Sequence, residues 1–238
     1  MHDSATKQLV QETQSYLDLH FCTKQEMAGL ANISTAQLDS LIAAGIAPQP
    51  SYVVAGNSLT SAAFGELSCT DLREGGYYRR AAVPWVERAA KYGPENTESF
   101  FEQLKRELGV QLQKANSSIV RLSDSFDETG VPISEGLSQR LNAMVSSYSS
   151  GVFSICIAEV GKAEGIVRKE ILQEKLQLLF DKTEINATES EGDDIIRDVA
   201  SYADACMPFP PIEYPISSRK RLLEDLPARL NLKAAFAI

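Results

Sequence analysis

This chain of 238 residues has little of what most sites of chemistry are made from. It has two histidines, His2 and His20, and four cysteines, Cys22, Cys69, Cys156 and Cys206, none within a C-x-x-C spacing. Zinc sites draw on closely spaced pairs of such ligands, so buried free thiols are expected and no metal or cofactor is. Glycines stand alone or as Gly75-Gly76 without a following Lys-Ser/Thr, which excludes a phosphate-cradling loop. No G-x-S-x-G elbow and no Glu-x-x-His pair occurs. No run approaches the roughly 20 apolar residues of a membrane span. The opening MHDSATKQLVQETQ has no apolar core, so no secretory leader is expected there. Positive charge is also scarce: the formal net charge is −9 and the pI about 4.9. That balance argues against general affinity for nucleic acid or anionic membranes and suits a cytoplasmic protein.

What is present is 44% hydrophobic residues, enough for a packed core. The most informative stretch is Phe21 to Leu59. Thr23 followed by Glu26 forms a capping box, and Met27, Leu30 and Ala31 give a short helix its apolar side. Asn32 and Ile33 turn the chain, and Ser34 caps a second helix from Thr35 to about Ala44 with Leu38, Leu41 and Ile42 inward. Gly45 ends it, and Tyr52-Val53-Val54 turns through Gly56-Asn57 into Ser58-Leu59-Thr60 as a hairpin. This order resembles the winged helix-turn-helix of MerR-type regulators. The resemblance implies DNA reading by the second helix, but that helix has no Arg or Lys and carries Asp39. Between residues 1 and 60 only Lys7 and Lys24 are basic. A phosphate surface repels such a segment, so DNA is not the expected partner.

Beyond the hairpin, Ala62 to Leu67 reads as the start of a short helix, and within Tyr77 to Arg88 Pro84 either kinks a helix or sits at the first turn of a new one. Phe100, Leu104, Leu108 and Leu112 recur at spacing four, the seam of a long buried helix from Asn96 to about Ala115. Ser134 opens another helix to about Tyr148. Gly151 to Ile157, rich in β-branched and aromatic residues, reads as a strand. Glu164 to Asp181 is amphipathic, with Ile166, Val167, Ile171, Leu172, Leu176 and Leu179 inward. Thr183 to Asp194 reads as an acidic loop, Ile195 to Cys206 as a helix. The prolines at 208, 210, 211 and 215 predict an extended strap, whose Phe209, Ile212 and Tyr214 dock on the main body. The expected fold is mainly α: a helix-turn-helix-like module with a small β wing at 1–66, then a helical domain at 67–238 with at most one or two strands.

Two basic clusters are candidate sites. Tyr77, Tyr78, Arg79 and Arg80, with the single Trp85 nearby, could bind a carboxylate or phosphate, since guanidinium forks take such groups bidentately. The alternative is that the aromatics anchor the core and the arginines pair with Asp71 or Glu74. Arg219, Lys220 and Arg221 could meet an acidic partner, or pair with Glu224 and Asp225.

The segments IAAGIAPQPSYVV, YYRRAAVPW and MPFPPIEYPISSRKRLLEDLP together resemble a bacterial family of unknown biochemical activity associated with natural-product biosynthesis. The resemblance implies a cytoplasmic accessory protein or enzyme acting on a small metabolite, or a scaffold beside such enzymes; the expectation is an accessory protein of a specialised-metabolite pathway that binds a small molecule or the pathway's enzymes, with a homodimer among its possible states. It transfers no catalytic residue. The other readings are a MerR-like transcriptional regulator and a metal-independent enzyme acting on a carboxylate-bearing metabolite.

Overall fold

The computed structural model describes residues 2–182 and 189–230. Helix α1 (His2–His20) leads into a two-residue strand β1 (Phe21–Cys22). Helix α2 (Lys24–Leu30) starts on the Thr23–Glu26 capping box, and α3 (Thr35–Ala43) on a second one made by Ser34 and Gln37. In each, the cap hydroxyl accepts an N–H of the first turn and the third residue's side chain returns the bond. Asn32, at φ +54°, makes the tight turn between them, and Gly45, at φ +75°, ends α3.

The expectation of at most one or two strands is wrong. Strands β2 (Tyr52–Ala55), β3 (Ser58–Ser61), β4 (Gly65–Ser68) and β5 (Gly75–Arg79) join β1 in a five-stranded sheet ordered β1-β5-β2-β3-β4. Every pairing is antiparallel. The protein is therefore mixed α and β, not all-α. The cause is non-local pairing. Gly75 to Tyr77 lies along Val54 to Tyr52, and Tyr78-Arg79 along Cys22-Phe21, so β5 is set by partners 21 to 58 residues away in sequence rather than by its own pattern. Residues 65–68 are likewise a strand rather than a helix, held by β3. The sheet thus uses strands from both sides of residue 66.

The opposite error occurs at 151–157. Val152–Cys156 is a one-turn helix, α7, and only Ile157 makes an isolated bridge, to Cys206. Its β-branched content reflects burial: Phe153, Ser154, Ile155 and Cys156 are all buried.

The rest is helical: α4 (Val83–Tyr92), α5 (Thr97–Ser118), α6 (Ser134–Ser149), α8 (Ala163–Phe180) and α9 (Glu189–Ala205). Pro84 sits in the first turn of α4, where its missing N–H costs nothing. Phe100, Leu104, Leu108 and Leu112 of α5 are fully buried, and α5 packs on α8 and α6. Part of the expected loop at 183–194 is helix, since α9 begins at Glu189; residues 183–188 lie outside the described residues.

The strap leaves α9 at Cys206 and docks on the sheet side of the molecule. Met207, Phe209 and Glu213 are buried, and the Phe209 ring meets Phe64 edge-on at 5.8 Å. It is not extended throughout: it turns at 211–213 and makes a 3-10 turn at Tyr214–Ile216. The terminal helix follows, with α-helical turns at Ser218–Lys220 and Leu226–Arg229 around a π turn at Arg221–Asp225. Pro227 accounts for the wide turn, because a proline cannot donate to the preceding carbonyls and its ring needs the extra space. One apolar core runs from Leu17 and Tyr52 through Trp85 and Phe100 to Leu176 and Leu226.

Candidate functional site

The aromatic and basic run on β5 is spread over four environments. Tyr77 is buried and donates its hydroxyl to the Arg73 carbonyl at 2.6 Å. Tyr78 is buried on the opposite face of the strand. Arg79 is buried, with one N–H donating to the His20 carbonyl at 3.1 Å and another directed at the Met207 sulfur at 2.8 Å. Arg80 is exposed and faces Glu26 at 3.8 Å. Trp85 is buried, donates to the Val160 carbonyl and meets Tyr148 edge-on at 5.6 Å. None of these five side chains lines the hollow between α6, α7 and α8, the one between α3 and α4, or the one along α1. The terminal basic run is also dispersed. Arg219 caps the end of α9 by donating to the Ala203 and Cys206 carbonyls, Lys220 pairs with Asp225 at 2.7 Å, and Arg221 donates to Gln177 Oε1 at 2.9 Å.

Arg79 belongs instead to a polar seam between strap and sheet. Tyr16 donates to the Pro208 carbonyl at 2.7 Å and Tyr52 to Glu213 Oε2 at 2.8 Å. Glu213 is fully buried, and among the described residues neither its Oε1 nor Arg79 Nε has a hydrogen-bond partner. Burial raises the Glu213 carboxyl above its ordinary value, and it lowers Arg79, which nonetheless stays charged. The seam fastens the strap to the sheet.

A cleft of about 260 Å³ lies between α6, α7 and α8. Arg140, Ala143, Met144 and Ser147 line it from α6, Phe153 from α7, and Glu170, Ile171, Gln173, Glu174 and Gln177 from α8. The wall is built on a buried charge. Lys169 is 2% exposed and donates to Glu170 Oε1 at 2.8 Å. Burial works against its charge, but attraction to the surrounding groups, Cys156 and Glu170 first, outweighs this and holds its pKa above the ordinary lysine value. Burial pushes the Cys156 thiol up to about 11, so near neutral pH it is uncharged and Glu170 is the carboxylate facing the ammonium. Arg140 is fixed as firmly: Nε donates to Ser125, and the terminal nitrogens donate to both Glu174 oxygens at 2.6 and 3.2 Å and to Asp124 at 2.7 Å. Gly136 lets the Asp124–Ser125 segment lie against α6; a Cβ there would collide with the Asp124 carbonyl oxygen. Behind the wall, Tyr202 donates to Gln173 Oε1 at 3.3 Å and shares a hydrogen bond with Ser218 at 2.9 Å.

Sequence reasoning missed this site, though a signal was present. Lys169 stands three residues after Ile166 and three before Leu172, in the middle of the inward face of α8. A lysine there must be paired or functional. Two larger hollows, about 410 Å³ between α3 and α4 and about 460 Å³ along α1, have mostly uncharged walls, and the charged side chains in them, Glu95 in the first and Lys7 and Asp71 in the second, are exposed.

Among the described residues, no group of three or more His, Cys, Asp or Glu side chains is placed to hold a metal ion. All four cysteines are free and buried. No helix among these residues is long and apolar enough to cross a membrane. The outward face of α3 presents Thr35, Ala36, Gln37, Asp39, Ser40 and Ala43, and Asp39 is paired with Lys24 at 2.6 Å.

Neither a curated protein nor a solved structure matches the chain. A family match covers residues 100–231, more than half of the chain, from α5 through the terminal helix, and so includes the whole cleft. The chain belongs to this family of unknown function, DUF6058.

Proposed function

We propose that this is a binding protein that holds a small molecule in the cleft between α6, α7 and α8 and does not read DNA. The observation that carries the reading is the buried Lys169 behind Glu170. Burying an ammonium is costly, and a fold that needed only packing is served better by an apolar side chain there. The pair fixes a carboxylate at the wall of a concave, half-apolar site, the usual form of a small-molecule pocket. The absence of base on the outward face of α3 supports the second half of the reading. An accessory role in a specialised-metabolite pathway is part of the proposal and rests on the sequence resemblance.

The test is a thermal-shift screen of charged and uncharged metabolites against the wild type and A143W, whose indole fills the cleft. Ligands that stabilise the wild type and not the variant support the reading. Equal stabilisation of both, or none, overturns the cleft as the site. Duplex DNA should produce no mobility shift at about 50 mM salt, where phosphate contacts are strongest; a shift there overturns the second half.

A further inference from the structure

We infer that the cleft takes an uncharged ligand in which an apolar body carries an amide; the inference rests on the cleft being the binding site. The argument is an inventory of charge and hydrogen-bonding capacity. Within the wall Arg140 is balanced by Glu174, and Lys169 behind it by Glu170; Asp124, which also holds Arg140, is exposed and does not line the cleft. Arg221 donates to Gln177 Oε1 and does not itself line the cleft. A carboxylate ligand therefore finds no cation to spare. An ammonium ligand would have to share Glu170 with Lys169. Either ion would lose its hydration without a counter-charge of its own.

Open capacity remains of two complementary kinds. Gln173 uses its oxygen for Tyr202, and its Nε2 makes no hydrogen bond among the described residues. Glu170 uses Oε1 for Lys169, and its Oε2 makes no hydrogen bond among the described residues. One donor and one acceptor, both on α8 three residues apart and so on one face of the helix, match the C=O and N–H of an amide. Met144, Phe153 and Ile171 supply the apolar surface for the rest of the ligand.

Phenylacetamide, phenylacetate and phenethylamine have nearly the same shape and differ in charge, and they serve as probes with the full-length, isotopically labelled chain. Nuclear magnetic resonance reads the side-chain amide of Gln173 and the backbone of α6 and α8. Phenylacetamide should shift these signals and bind at least about tenfold more tightly than either ion. In Q173M, which keeps the length of the side chain and loses the donor, phenylacetamide should weaken about fivefold while the ions are unaffected. An ion that binds as tightly as the amide, or a Q173M variant with undiminished amide affinity, overturns the ligand class and leaves the cleft as a site. No cleft shift from any probe at about 10 mM overturns both readings.

Discussion

The hydroxyl of Tyr52 donates to the carboxyl of Glu213 at 2.8 Å, across 161 residues of chain. One partner is in the second strand of the sheet and the other in a proline-rich strap, and both are buried. The contact joins the first and last parts of the molecule through a polar group in an apolar setting.

Removing the phenol should be costly. In Y52F the Glu213 carboxyl stays buried without this donor, and the expected loss is about 1–3 kcal/mol, read from urea unfolding near neutral pH. The pH dependence has a defined sign. Burial raises Glu213 above its ordinary value near 4.5, so the native state holds this proton more tightly than the unfolded chain does. Its contribution to stability is complete below that value and is lost as pH rises through the raised one. The difference between wild type and E213Q isolates the effect, because Glu107, lowered by its hydrogen bonds from Arg88, acts in the opposite sense.

The Lys169–Glu170 pair should respond asymmetrically. Glu170 is 31% exposed, so in K169M it relaxes toward water, and stability should change by less than about 1 kcal/mol. E170A leaves a fully buried ammonium without a carboxylate and should cost about 3–5 kcal/mol. Equal losses in the two variants would show that Lys169 is held by packing rather than by its partner.

What could be read from the sequence was local. Both helix starts at Thr23 and Ser34, the Phe100-to-Leu112 seam and the docking of Phe209 follow from caps, spacing four and an apolar residue among prolines. Strand β5 could not be read this way, because Gly-Gly-Tyr-Tyr-Arg is strand only by virtue of Phe21 and Tyr52 beside it. Glu213 looked like an ordinary polar strap residue, and nothing near it in sequence announces Tyr52. Lys169 could have been found, since a cation on the centre of an inward helical face is a local signal.

Gly136 is a steric requirement of the cleft. In G136A the methyl group collides with the Asp124 carbonyl oxygen, so the 124–125 segment must move and release Arg140 from Asp124 and Ser125. The expected loss is above about 3 kcal/mol, with weakened binding of any cleft ligand; urea unfolding and probe titration check the two together.

Trp85 is the sole tryptophan and reports on the core. W85F removes the donor to the Val160 carbonyl and should destabilise by about 1–3 kcal/mol. In the wild type, fluorescence should be blue-shifted and should move to the red in a single transition on unfolding.

The seam also sets the order in which the chain can be completed during synthesis. Tyr52 leaves the ribosome long before Glu213 exists; at about 5–20 residues per second the interval is roughly 8–30 s. For that time the sheet lacks its strap, and the surfaces that later meet Met207 and Phe209 are uncovered. A nascent chain stalled short of residue 207 should therefore be a strong client of holdase chaperones, and one released past the terminal helix should not.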